Sequence, residues 1–428
     1  METTIEQRLS EQFKQQSTAW NGHSNLPIYQ LKKQAFETFL QKGLPDGKDE
    51  AWKYTYLKKY LLEETNSLSN GIYNIDLELF KSNYINKKDK YIYCVLIDGQ
   101  LNLSLSDTSL VKGLKFSTLN ADNPLTHIQL PKNALELIAF GLANEHLTFE
   151  IDKSFDSNKN IQIIDIQTNK SNELNNSFVN IFINNEAQCN IIYRPITIDL
   201  NHQKLNTFIH INLKNKSICN FTSIQNVNKK SYLIENKSIK QFSGSIFTNN
   251  QISLSGGLLR NNLYVVHQEQ HCETNLYGLT CIAQQDHVDH NTVVDHAQPN
   301  CFSNELYKGI YDEKSTGIFN GKIIVRKDAQ KTNAFQSSKN ILVSDEATVN
   351  ARPQLEIFAD DVKCSHGCTS AQIDEKELFY LQSRGISPTL GKSMLMYAFA
   401  EDALQGIKNI DLKAEIEHTI ESKLGLEW

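Results

Sequence analysis

The 428-residue chain carries a formal net charge of −6, from 43 Lys and Arg against 49 Asp and Glu. With 40% hydrophobic and 21% charged residues, it has the composition of a soluble globular protein, long enough for a large core or for two to three domains. The acidic balance argues against a nucleic-acid binder, and no run of 18 apolar residues marks a membrane span. Residues 1–20 lack the basic-then-apolar layout of a signal peptide, so the expected location is the cytoplasm and the eight scattered cysteines are expected to be reduced.

Residues 1–65 read as helical. Leu31, Ala35, Phe36, Phe39 and Leu40 follow the 3.6-residue period, and Gly43 with Pro45 stops that helix. The run Glu50-Ala51-Trp52-Lys53-Tyr54-Thr55 follows, an aromatic cluster suited to packing in a small helical domain. Tyr91 to Ile97 is a strand ending at the turn pair Asp98-Gly99, and Leu101, Leu103 and Leu105 alternate beyond it. A short helix is expected within 132–144. From about 147 to 360 short alternating runs recur, among them 160–166, 177–183, 207–213, 243–247, 262–266 and 317–325. With no long helix between them, these strands suit a sandwich, a barrel or a β-solenoid, and no clean repeat period selects one. The tail is helical again. Asp374 caps one helix, Gly385 closes it, and Ser387-Pro388 is an N-cap and N1 pair for the next. Leu412, Ile416, Ile420 and Leu424 then form an i+4 stripe that needs a surface, from the chain itself or from a partner.

Two stretches carry chemistry. In the run from Arg352 to Thr369, a strand (Leu355, Ile357) turns through Asp360-Asp361 and reaches Cys364, His366 and Cys368. Spaced at i, i+2 and i+4, these three share one face of an extended strand, unless Gly367 introduces a bulge. Two thiolates and an imidazole are soft ligands for iron, zinc, copper or an iron–sulfur unit. The second stretch, Gln284 to His296, packs His287, Asp289, His290, Asp295 and His296 into thirteen positions. Strand parity groups His287 with Asp289 and Asp295, and His290 with His296. A metal site or a hydrogen-bonded ladder along stacked strands both fit. Gly385 to Ser393 looks like a phosphate-binding loop, but its glycines are one residue too far apart and it follows a helix, so no nucleotide is expected on this chain.

The residues Leu355-Glu356-Ile357 and Asp360 through Gly367 closely resemble the core signature of the SufB/SufD family of iron–sulfur cluster assembly proteins, nearer its SufD branch. So do Glu50–Thr55, Gln284–His296, Cys301-Phe302-Ser303-Asn304-Glu305-Leu306-Tyr307-Lys308-Gly309, Gly317–Lys322 and Ala329–Thr332. The family commonly has alanine where this chain has Cys368. The resemblance implies a mainly β protein with a right-handed parallel β-helix core, flanked by small N-terminal and C-terminal α-helical domains. The expected boundaries are 1–145 (helical, with a strand-rich connector), 146–370 (β-helix) and 371–428 (helical). It implies a non-enzymatic accessory scaffold that pairs with a SufB-like subunit through the β body and with a SufC-like ATPase through the C-terminal helices, with a homodimer possible when the chain is alone. It places His366, with Cys364, at the subunit interface where a transient iron–sulfur cluster forms. Two other readings start from the residues alone. One is a β-helix enzyme acting on polysaccharide, with Asp289 and Asp295 as its carboxylate pair. The other is a mononuclear metalloprotein using His287, His290 and His296.

Overall fold

A computed structural model of the chain describes residues 4–18, 26–62, 89–107, 111–118, 130–168, 174–198 and 203–426, so part of the expected 1–65 helical stretch lies outside the described residues. The helices are α1 (Ile5–Thr18), α2 (Pro27–Lys42), α3 (Leu57–Leu62), α4 (Ala134–Leu142), α5 (Glu375–Ser383), α6 (Pro388–Glu401) and α7 (Ile410–Lys423). The strands are β1 (Tyr91–Ile97), β2 (Gln100–Leu101), β3 (Leu114–Thr118), β4 (His146–Ile151), β5 (Asn160–Gln167), β6 (Asn175–Ile183), β7 (Gln188–Thr197), β8 (Lys204–Leu213), β9 (Ile218–Asn226), β10 (Tyr232–Gln241), β11 (Ile246–Ser255), β12 (Leu258–His267), β13 (Glu273–Ile282), β14 (His287–His296), β15 (Phe302–Tyr311), β16 (Thr316–Val325), β17 (Asn333–Leu342), β18 (Thr348–Ile357) and β19 (Lys363–Ala371).

These strands wind into a parallel β-solenoid. From β4 onward, even strands stack into one sheet, in the order β18-β16-β14-β12-β10-β8-β6-β4-β3, and odd strands into the other, β19-β17-β15-β13-β11-β9-β7-β5-β1-β2. Each turn of the chain adds one strand to each sheet. Alternate side chains of both sheets point inward, where Ile163, Ile181, Ile191, Ile211, Phe221, Phe247 and Leu276 form the apolar interior. The turn from even to odd strand repeats one device. Glu186 (φ 61°), Lys216 (57°), Gly244 (68°), His271 (63°), Asn300 (60°) and Lys331 (59°) occupy the left-handed region at the same place in successive coils. Glycine and asparagine, the residues suited to that conformation, hold it only at Gly244 and Asn300.

The helices cover the outer faces. On the even-strand sheet, α4 is buried almost all round, between α2 and the outward side chains Phe178, Phe208 and Ile234. That double burial explains why the helix, apart from Glu136 in its first turn, is apolar all round instead of along one stripe. On the odd-strand sheet, Leu412, Ile416 and Ile420 of α7 and Met396 and Ala400 of α6 pack on Ile164, Ile192, Ile224, Ile252, Leu279 and Ile310. The i+4 stripe of the tail therefore meets the chain's own sheet.

Three details differ from the sequence reading. β1 pairs in parallel with β5, and β3 pairs antiparallel with β4, so the expected connector belongs to the sheets and the β body starts before residue 146. The alternation of Leu101, Leu103 and Leu105 is not a strand beyond Leu101. Leu105 is buried, while Leu103 projects into solvent. Of the 243–247 run, 243–245 form a turn, with Ser245 N–H bonded to Phe242 O (3.0 Å), and the strand β11 starts only at Ile246.

Candidate functional site

The solenoid ends in β18 and β19, and among the described residues each is hydrogen-bonded to a neighbouring strand on one side only. β19 holds regular register through Gly367, which lies beside Ser337, so no bulge interrupts it. Cys364, His366 and Cys368 lie beside Ala334, Gln336 and Ser338, all three buried and inward-facing. The three candidate ligands thus continue the inward-facing rows onto the last coil, where no further coil among the described residues covers them. His366 and Cys368 are exposed, and Cys364 is half-buried against the apolar cluster that includes Ala334. Burial pushes both thiols up from their ordinary value, more than the backbone N–H of Ala334 (for Cys364) or the Ser338 hydroxyl (for Cys368) pulls them down.

The backbone of β19 adds to this. Lys363 N–H bonds Thr332 O (2.9 Å) on the β17 side, so by alternation the N–H groups of Cys364, His366, Cys368 and Ser370 face the open side. β18 is an edge of the same kind and accommodates Pro353, as only an edge strand does without losing a ladder bond.

Beneath His366 lies a polar pair that sequence reasoning did not single out. Gln336 donates to Glu305 Oε2 (3.3 Å), which also accepts from Thr292 Oγ1 (2.8 Å). Glu305 is fully buried, and burial pushes its carboxyl up to about 7. Gly321 makes room for this pair, since a Cβ there would stand 2.1 Å from Gln336 Nε2. The signal was in the sequence: Cys301, Ser303 and Glu305 share a parity, and Ser303 and Glu305 both point inward.

The His–Asp stretch is β14, and it divides as parity requires. His290 faces inward to Thr280 Oγ1 (2.9 Å) and Asn261 (3.3 Å), and His296 to Ser303 Oγ (2.9 Å) and His267 Nδ1 (3.1 Å). Burial lowers both imidazoles, to about 3 and about 4 respectively, so both are neutral. His287 faces outward and meets Thr55 Oγ1 (3.0 Å). Asp289 is paired with Arg260 and also accepts from Thr55. Arg260 stacks on Trp52 (4.1 Å to the ring centre) and donates to Ala51 O (2.9 Å). The Glu50–Thr55 run is therefore a clip across the outer face of this strand. Farther along, Asp295 holds Arg326 through two bonds (2.8 and 2.6 Å). The three histidines do not converge, and no cluster of three or more His, Cys, Asp or Glu able to hold a metal occurs among the described residues. Asp289 and Asp295 are six residues apart on one strand, about 20 Å. Carboxylates that cleave glycosides lie within about 10 Å of each other. A cavity of about 500 Å³ near the other end, lined by Gln12, Gln16, Asp98, Gln100, Asn144 and Asn176, gathers none of the candidate residues.

Two family models match the chain. The model described as "SUF system FeS cluster assembly, SufBD core domain" covers residues 166–399, and that for the "SufBD protein N-terminal region" covers residues 3–122. The chain belongs to the SufBD family of iron–sulfur cluster assembly proteins. It is similar to the iron–sulfur cluster assembly protein SufD of Escherichia coli, at 25% identity over 91% of this chain and 92% of that protein. It is also similar to the iron–sulfur cluster assembly SufBD family protein slr0076 of Synechocystis, at 34% identity over 44% of this chain and 42% of that protein. Protein ABCI7, chloroplastic, of Arabidopsis thaliana matches at 33% identity over 41% of this chain and 37% of that protein. The last two matches thus span less than half of those relatives. Within the family, this chain is SufD-like. No helix among the described residues is long and apolar enough to cross a membrane.

Proposed function

We propose that this SufBD-family chain is a non-enzymatic accessory scaffold of iron–sulfur cluster assembly, acting in the cytoplasm. It joins a SufB-like subunit through its last coil and a SufC-like ATPase through its C-terminal helices. The observation that carries this reading is the uncovered last coil, with two unpaired strand edges and Cys364, His366 and Cys368 on the inward side. A second β-solenoid placed against those edges would continue both sheets. It would enclose His366 and Cys364 between two chains, with a transient iron–sulfur cluster as their shared cargo. Ligands shared between two chains favour release of the cluster when the interface moves. The same edges would serve a homodimer when the SufB-like subunit is absent.

The ATPase side is supported by α5, none of whose residues is buried. Phe379 is 71% exposed and Tyr380 58% exposed, next to the solvent-facing start of α6. An apolar patch of this kind marks a protein contact.

Co-expression with SufB-like and SufC-like subunits, followed by size-exclusion and by iron and sulfide analysis of wild type and His366→Ala, tests the reading. A stable assembly with less cluster in the variant supports it. Failure of the wild type to form any complex overturns it. An assembly that dissociates in the variant would make His366 a structural contact instead of a ligand.

A further inference from the structure

We propose that Cys272 and Cys301 form a redox-active dithiol that closes reversibly into a disulfide joining two successive coils. This stands apart from the function proposed above.

The two residues occupy the same place in neighbouring even-to-odd turns, just after left-handed His271 and Asn300. Register between Glu273 and Phe302, and the bond from Phe302 N–H to Cys272 O (2.9 Å), set them side by side. Adjacent strands stand about 4.8 Å apart, within the Cα range that a disulfide spans. The two thiols share an acceptor, since both reach Glu269 O, at 3.1 Å from Cys272 and 3.4 Å from Cys301. Neighbouring coils place Ser217, Ser245 and Thr332 at this point. Ser217 and Thr332 bond the carbonyl three residues back (2.7 and 2.8 Å), as Cys272 does. A hydroxyl is therefore sufficient to close the turn, and the thiols are not needed for folding.

The pair is asymmetric. The neighbouring Cys272 thiol pulls the Cys301 thiol down from its ordinary value, against burial, and the backbone N–H groups of Cys272 and His271 act in the same direction. Backbone amides converging at a left-handed turn make a nest that favours an anion. The same contact pushes Cys272 up. Cys301 is thus the attacking sulfur and Cys272 the resolving one. With a hydroperoxide as oxidant, Cys301 thiolate attacks the peroxide oxygen and becomes a sulfenic acid, releasing hydroxide or alkoxide. The Cys272 sulfur then attacks the sulfenic sulfur, the S–S bond forms, and the sulfenic oxygen leaves as water. In total the two thiols give up two electrons and two protons.

The chain carries its own control. Cys189 and Cys219 also lie side by side on neighbouring coils; all four cysteines are buried, but this pair sits in the apolar interior, whereas Cys272 and Cys301 sit at a turn among backbone carbonyls and amides. Contact with Cys189, together with burial, pushes the Cys219 thiol well up.

The test treats the full-length native chain with hydrogen peroxide, blocks free thiols, and maps peptides by mass. The expected product is one linked peptide pair, Cys272 to Cys301, reversed by dithiothreitol and formed at least about tenfold faster than any modification of Cys189 or Cys219. Cys272→Ser should leave Cys301 as a sulfenic acid trapped by dimedone, and Cys301→Ser should leave Cys272 unreacted. Circular dichroism checks that both serine variants fold, as Ser245 indicates. The proposal is overturned if Cys272 and Cys301 stay free at peroxide levels that oxidise exposed Cys368, or if the mapped bridge joins Cys189 to Cys219.

Discussion

The two ends of the solenoid are built to different rules. At the first coils, the short edge β2 and the antiparallel β3 terminate the sheets, Phe116 stacks on Phe149, and Phe155 sits in the interior cluster. Every residue of β5 and of β8 is buried. At the last coil, β18 has no buried residue and β19 is almost wholly exposed, although the two strands are ten and nine residues long. Natural sheets shorten, cap or charge an edge that has to remain unpaired. The first edge is treated in that way and the last is not, which is the contrast that the proposed pairing with another chain rests on.

The largest effect should come from the covered side. Asp289→Asn leaves the Arg260 guanidinium buried without its counter-ion and loosens the Glu50–Thr55 clip. A loss of about 3–5 kcal/mol in denaturant unfolding is expected. A loss below about 1 kcal/mol would mean that the clip does not hold that face.

Next comes Glu305, on the boundary between covered interior and open end. Its carboxyl sits at about 7 in the fold against 4.5 ordinarily, because burial disfavours the charged form. A carboxyl raised on folding contributes stability that is fully present below pH 4.5 and is lost as pH rises through 7. Wild type should therefore lose about 3 kcal/mol relative to Glu305→Gln between pH 4.5 and pH 8. Parallel unfolding curves for the two proteins across that range would remove Glu305 as the titrating group.

Ser370→Pro removes an N–H that faces the open side of β19. The lone chain should change by less than about 1 kcal/mol, because edge strands tolerate proline. Assembly with a SufB-like subunit should be lost, and an undiminished complex would mean that the partner does not pair along β19. The smallest effect belongs to His366→Ala and Cys364→Ser. Thermal unfolding of the lone chain should move by no more than about 0.5 kcal/mol for His366, whose side chain is exposed, and little more for half-buried Cys364. A larger shift would show that the last coil is already closed within the monomer.

Much of this was legible in the residues. Strand parity separated His287, Asp289 and Asp295 from His290 and His296, and the same rule put Cys364, His366 and Cys368 on one side. The caps at Asp374 and Ser387 fell where the helices begin, with Asp374 accepting from Lys376 N–H (2.8 Å). The solenoid itself was not legible from spacing. Register offsets vary, from 26 residues between Leu233 and Leu259 to 32 between Gly317 and Val349. The repeating left-handed turn is hidden because Glu186, Lys216, His271 and Lys331 are not turn-marking residues. Resemblance to the family supplied that architecture.

The sequence by itself determined which residues alternate, where helices start and stop, and which family the chain joins. These depend on local geometry and on short runs of identity, which a single strand or turn carries whole. Only the tertiary structure decided that the His–Asp stretch is a clip on one face and a ladder on the other. It alone placed Glu305 and Gln336 beneath His366, and left one end of the solenoid uncovered among the described residues. Those facts depend on which coil lies next to which, about thirty residues apart along the chain, and no local pattern encodes that stacking.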